Sequence, residues 1–159
     1  MAVKKTKSES NNKTVSVNRQ ARYEYEILET VEAGLVLTGT EIKSIRDGRV
    51  NIRDAYARPL NGELWLQGAH IATYPPATVN NHEPDRPRKL LLHKDQIEDL
   101  ARHIQGQGLT LVPLRLYIKR HRAKVELGLA RGRRSHDKRQ VIAKRDADRR
   151  MREATRQRA

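Results

Sequence analysis

The chain has no cysteine. Disulfide scaffolds, thiolate zinc sites, iron–sulfur clusters and thiol nucleophiles are excluded, and a reducing compartment is the simpler setting. Long apolar runs are missing as well. None approaches the roughly 20 residues that span a bilayer, and the basic start MAVKKTKSESNNKT has no apolar stretch behind it, so it does not read as a secretion signal. Signatures of catalysis are absent: there is no phosphate-binding P-loop, no G-x-G-x-x-G after a strand, no H-E-x-x-H and no G-x-S-x-G. The six histidines, at 70, 82, 93, 103, 121 and 136, are scattered. His82-Glu83-Pro84-Asp85 brings three potential metal ligands close together, a pattern that Pro-rich loops show by chance. Acidic residues are scarce, 19 against 33 Lys and Arg, for a net charge of +14.

What is present is one domain's length of chain, 159 residues, with its charge at the ends. Residues 1–19 carry net +4, residues 131–159 net +8 and the 111 residues between them only +2. The middle therefore reads as a near-neutral globular body and the ends as basic arms. The arms hold too little apolar surface to offset chain entropy and are expected to be disordered when free. A polyanion is the expected partner, nucleic acid before an anionic membrane. If the protein neutralises roughly 6–10 phosphates, affinity should fall by about 10³–10⁵ between about 50 and 200 mM salt. A merely solubilising role for the arms is the plainer alternative.

Within the body, Tyr23–Leu28 and Leu35–Leu37 read as short strands around a turn at Glu32-Ala33-Gly34. Thr38 and Glu41 have capping-box spacing and predict a short helix that stops at Gly48. Asn61-Gly62 predicts a tight hairpin between Ala55–Leu60 and Glu63–Ile71. Residues 74–89 contain four of the six prolines and read as a long loop. Ile97, Leu100, Ala101 and Ile104 give one apolar stripe, so Lys94–Gln105 reads as a helix ended by Gly106. Leu109–Lys119 and Lys124–Ala130 alternate apolar with polar and form a second hairpin around Arg120–Ala123. About six strands and two helices in this order predict a mainly β fold: a small antiparallel barrel with helices packed on it and disordered basic tails, spanning 18–130 between arms at 1–17 and 131–159.

Two places carry chemistry. Glu32 can accept hydrogen bonds from the base edge of a splayed nucleotide, although on composition alone a surface glutamate beside a turn is the favoured explanation. In the C-terminal arm, Gly132-Arg133-Arg134-Ser135-His136-Asp137-Lys138-Arg139 combines a strand breaker, phosphate-binding cations and a ring able to stack on a base. Beyond it, Ala143, Ala147, Met151 and Ala154 form a narrow helical stripe, with Lys144–Asp148, Asp146–Arg150, Asp148–Arg152 and Arg149–Glu153 as opposite-sign pairs four apart. This reads as a segment that becomes a basic helix on its partner. The alternative from another class is a metal-dependent nuclease using Glu32, Glu41, Asp47 and Asp54. A constitutive ribosomal protein is a third.

Five segments in one order carry a resemblance: Asn18-Arg19-Gln20-Ala21, Glu32-Ala33-Gly34-Leu35, Gly39 to Arg46, Arg88-Lys89-Leu90-Leu91-Leu92, and Gly132 to Arg139 with its His-Asp-Lys-Arg run. The sequence resembles the SsrA-binding protein (SmpB) family of bacterial ribosome rescue. The resemblance implies an OB-fold-like barrel and a non-enzymatic adaptor. It would bind the tRNA-like domain of transfer-messenger RNA (tmRNA) and bring it to stalled ribosomes for trans-translation. The tail would occupy the 16S rRNA decoding centre and the empty mRNA channel. It further implies RNA contacts at Asn18, Arg19, Tyr23, Glu32, Arg46, Lys89 and Leu91, and ribosomal contacts at Gly132, Arg133, Arg134, His136, Asp137, Lys138 and Arg139. Leu91 would touch RNA, where composition alone places it in the core. The protein is expected to be a cytoplasmic monomer with no cofactor, no metal and no membrane attachment.

Overall fold

The structure is a computed structural model that describes residues 12–77, 81–133 and 135–157, the last from 135 to 137 as backbone alone. The elements run β1 (Lys13–Val17), α1 (Arg19–Glu24), β2 (Tyr25–Leu35), α2 (Gly39–Arg46), β3 (Val50–Asn51), β4 (Tyr56–Leu60), β5 (Glu63–Gln67), β6 (His70–Ile71), β7 (Arg88–Leu91), α3 (Lys94–Gln107), β8 (Thr110–Lys119), β9 (Arg122–Gly132) and α4 (Ser135–Gln157). The strand order is β1-β8-β4-β5-β7-β2-β9, and β8 also pairs with β9, so six strands close into a ring with β1 beside β8. Every pairing is antiparallel, and β3 and β6 make a separate ribbon. The expected antiparallel sheet with packed helices is present. Among the described residues no helix is long and apolar enough to cross a membrane.

Local signals explain much of this. The Thr38 hydroxyl accepts from the Glu41 N–H while the Glu41 carboxylate accepts from the Thr38 N–H, which starts α2. Asn61 and Gly62 have φ of 52° and 77°, the two positive values that a type I′ turn requires. Inside the ring, Leu64, Leu66, Leu90, Leu111, Leu116, Val125 and Leu127 pack with Ile45 of α2 and Leu100 of α3. On the other side of β8 and β9, α1 lays Ala21 on Val112, Leu114 and Ala130. Strand β8 is therefore covered on two sides rather than on one. A bulge between Pro113 and Arg115 sends Leu114 and Leu116, expected on one face, into different clusters.

Several expectations are corrected. Glu32-Ala33-Gly34 is no turn: β2 runs unbroken from Tyr25 to Leu35, paired with β9 along nearly its whole length. Tyr23 lies in α1, which Asn18 caps by accepting from the Ala21 N–H. Residues 13–17 do not belong to an arm but form β1 on β8, while residues 1–11 lie outside the described residues. Helix α3 passes through Gly106 and stops at Gly108, whose φ is 63°. Strand β9 continues to Gly132, past the expected end at Ala130. Residues 135–157, expected to become helical on a partner, form a helix. It is tethered at its start, where the Arg133 N–H donates to the Glu24 carbonyl at 2.9 Å. Further along, Arg149 pairs with Asp146 at 3.2 Å, three residues apart. Met151 of the expected stripe is 71% exposed.

Candidate nucleic-acid interface

Alternation along β2 and β7 sends Glu32, Gly34, Lys89 and Leu91 to the outer side of the ring, while Ala33, Arg88 and Leu90 point inward and are buried. In the ladders Gly34 faces Leu91 of β7 on one side and Lys124 of β9 on the other. A Cβ at Gly34 would lie 3.3 Å from the Leu91 Cβ and 3.6 Å from the Lys124 Nζ. The glycine is there for close approach. It leaves a notch with an apolar wall, Leu91, and a cationic wall, Lys124. The notch opens into two shallow cavities of about 430 and 300 Å³ that share Gly34, Leu91 and Lys124. Leu91 is 51% exposed, on the surface as the resemblance implied and not in the core.

Glu32 closes the notch. Its carboxylate accepts from the Tyr117 hydroxyl, and Lys119 Nζ lies 3.6 Å from the same oxygen. The Tyr117 hydrogen bond, helped by Lys119 and Lys124 and opposed by partial burial, holds the Glu32 carboxyl below its ordinary value. Burial, followed by the neighbouring Glu32, pushes the Tyr117 phenol up. Arg115 bonds Glu126 at 2.6 Å and lies 4.5 Å from the Tyr117 ring centre. Its guanidinium is pushed further up by the Glu126 bond.

A second group gathers at α1. Asn18 is 3% exposed; its Oδ1 caps the helix and its amide donates to the carbonyls of Ile52, Arg53 and Pro113 at 3.0–3.3 Å. Its side-chain polar atoms all serve the fold, where they fix α1. Arg19 is exposed and Tyr23 half-buried beside a cavity of about 530 Å³ that Val17 and Arg53 also line. Lys138 of α4 stands 6.0 Å from the Tyr23 ring centre. Gln20 accepts from Arg53 and donates to Glu24, so it knits this corner together.

The remaining expected residues lie apart from these groups. Arg46 is exposed in the last turn of α2, where its carbonyl accepts from Lys13 at 3.4 Å. Lys89 shares the outer side with Leu91 but pairs with Glu63 at 2.9 Å. Gly132 ends β9 opposite Tyr25. Arg133 follows it, with a buried Nε that has no hydrogen-bond partner among the described residues. A groove of about 660 Å³ beside it is lined by Glu26, Arg131, Val141, Lys144 and Arg145. Arg139 is exposed on α4. Arg134 and the side chains of His136 and Asp137 lie outside the described residues.

One carboxylate of the metal-dependent alternative is committed to the fold. Glu41 is fully buried, bonded by Arg86 and by Arg88 Nε at 2.6 Å, and has no lobe left for a cation. Burial raises its pKa, but the hydrogen bonds of Arg86, the Thr38 backbone and Arg88 outweigh that and hold it below the ordinary value. Arg88 further donates to the carbonyls of Ala69, Glu83 and Pro84, so the Pro-rich loop is tied to the ring. His82 has one ring nitrogen on Thr40 Oγ1 at 2.8 Å and the other on the Ile71 carbonyl at 2.9 Å. Among the described residues no cluster of three or more His, Asp or Glu could hold a metal.

Lys124 and Tyr117 were missed by reading the sequence. Their place on the polar side of an alternating strand was legible, but their neighbours on β2 were not, because strand pairing decides those.

The family model described as SmpB protein matches residues 15–157. The SsrA-binding protein of Desulforudis audaxviator is 55% identical over 147 residues, which cover 92% of this chain and 96% of that one. The SsrA-binding protein of Thermosynechococcus vestitus is 56% identical over 147 residues, 92% of this chain and 97% of that one. A chain solved in "tmRNA-SmpB: a journey to the center of the bacterial ribosome" superposes with a TM-score of 0.64 at 47% identity, over 80% of this chain and 93% of that one. The chain therefore belongs to the SmpB protein family.

Proposed function

We propose that this protein is a non-enzymatic adaptor that binds the tRNA-like domain of tmRNA and carries it to stalled ribosomes for trans-translation. The ring of strands acts as an OB-fold-like barrel, and its outer face of β2, β7 and β9 meets the RNA. The observation that carries this reading is the notch at Gly34. An exposed leucine, a lysine and a carboxylate held ionised converge there on a floor without a side chain. Leu91 packs on a sugar or base face, Lys124 meets a phosphate and Glu32 accepts from a base edge or a 2′-hydroxyl. Arg19, Arg46 and Lys89 add phosphate contacts, and Tyr23 offers a ring for stacking.

The tail performs the second role. Gly132 releases the chain from the sheet. Arg133, Arg134, Lys138 and Arg139 hold rRNA phosphates in the decoding centre, with His136 stacked on a base and Asp137 beside it, while the rest of α4 lies in the empty mRNA channel. The protein works as a monomer in the cytoplasm, without cofactor or metal.

Sequencing the RNA that copurifies with the protein tests this. One dominant structured RNA with a tRNA-like end is expected; a broad mixture of cellular RNA contradicts it.

A further inference from the structure

The Glu32 carboxylate sits in a crowded place. In the β2–β9 ladder it lies directly opposite Glu126, and two like charges at that separation repel. Arg115 takes up Glu126 at 2.6 Å, which leaves Glu32 to Tyr117 and Lys119. The Tyr117 ring is fixed in turn by the Arg115 guanidinium lying over it. Tyr117 and Lys119 approach the same oxygen of Glu32, Oε2. Among the described residues nothing donates to Oε1. The charged and titratable groups around this carboxylate are Arg115, Tyr117 and Lys119 of β8, Lys124 and Glu126 of β9, and His93 at the rim of the cavity.

We propose that Tyr117 is a positioning residue for RNA recognition: it pins Oε2 of Glu32 so that Oε1 alone faces the notch and accepts a single donor, an exocyclic base amine or a ribose 2′-hydroxyl. This rests on the reading of the β2–β7–β9 face as the RNA surface. Two things follow from the pinning. A free glutamate between two lysines swings toward either of them, whereas a pinned one is already oriented, so less side-chain entropy is lost on binding. A donor pair such as the Watson–Crick edge of guanine needs two free carboxylate oxygens, so the site favours ligands that present one. The phenol also favours the charged form of the acceptor: its bond is the leading cause of the low Glu32 pKa.

The test is a double-mutant cycle on the full-length protein, with the dissociation constant of a transcribed tRNA-like domain as readout. Tyr117→Phe keeps the ring and removes the donor. On the wild-type background it should weaken binding about three- to tenfold, the range of one hydrogen bond. On a Glu32→Ala background it should change binding by less than about twofold, because nothing is left to position. The pH profile is a second readout. Affinity of the Tyr117→Phe protein should begin to fall at a higher pH than that of the wild type, since its carboxylate protonates more readily. Unchanged affinity in Tyr117→Phe, or an equal loss on the two backgrounds, overturns the role of Tyr117. Unchanged affinity in Glu32→Ala instead overturns the RNA surface on which it rests.

Discussion

Glu41 and Glu32 are both glutamates held ionised by hydrogen bonds, nine residues apart in sequence. One side chain is fully buried and the other 41% exposed. At Glu41 burial pushes the pKa up, and three sets of hydrogen bonds reverse it. Each oxygen is consumed, one by Arg86 and the Thr38 N–H and the other by Arg88. At Glu32 a single phenol is the leading cause, with Lys119 and Lys124 behind it, and among the described residues one oxygen stays available. The carboxylate that loses its water must spend all its acceptors on the fold. The one that keeps its water can serve a ligand. Composition cannot separate the two; depth in the ring does.

The sharpest way to break this contrast is Glu41→Ala. It leaves the Arg88 guanidinium buried without its carboxylate and should cost about 3–5 kcal/mol in denaturant unfolding. A loss under about 1 kcal/mol would mean that the pair does not hold the loop to the ring. A smaller effect, of the opposite kind, is expected for Leu91→Asp. A surface change should leave the melting transition in place, while affinity for the tRNA-like domain falls about tenfold or more as a carboxylate meets phosphates. A melting transition lowered by several degrees would return Leu91 to the core. The smallest effect is in acid. The folded pKa of Glu41 lies below its ordinary value of 4.5, so its contribution is complete above that pH and is lost as pH falls through the lower folded value. Thermal stability should therefore decline below about pH 4.5, and less so in Glu41→Gln. An equal decline in the two proteins would place the acid lability elsewhere.

Parts of this were legible before any coordinates. Thr38 with Glu41, and Asn61 with Gly62, act through partners one to three residues away, so spacing was enough. Glu32-Ala33-Gly34 misled because glycine most often marks a turn; here it admits Leu91, 57 residues later, and only strand pairing shows that. Arg88 read as part of a polar loop because arginines are rarely buried, yet its carboxylate waits 47 residues upstream. Asn18 carried a helix-cap signal that the alternation of Tyr23, Tyr25 and Ile27 masked. The contacts of Lys124 and Tyr117 with Glu32 join three strands, and no local pattern encodes them. Conversely, the surface position of Leu91 came from the family resemblance and not from composition.

The most direct measurement compares Glu32→Ala with His136→Ala for affinity toward the tRNA-like domain, in parallel with tagging on stalled ribosomes. If the strand face reads the RNA and the tail reads the ribosome, Glu32→Ala weakens binding by about tenfold, the worth of one charge-assisted hydrogen bond. His136→Ala should stay within about twofold of the wild type in binding and yet fail in tagging. The reverse pattern, with His136→Ala binding poorly and Glu32→Ala binding normally, contradicts that division of labour.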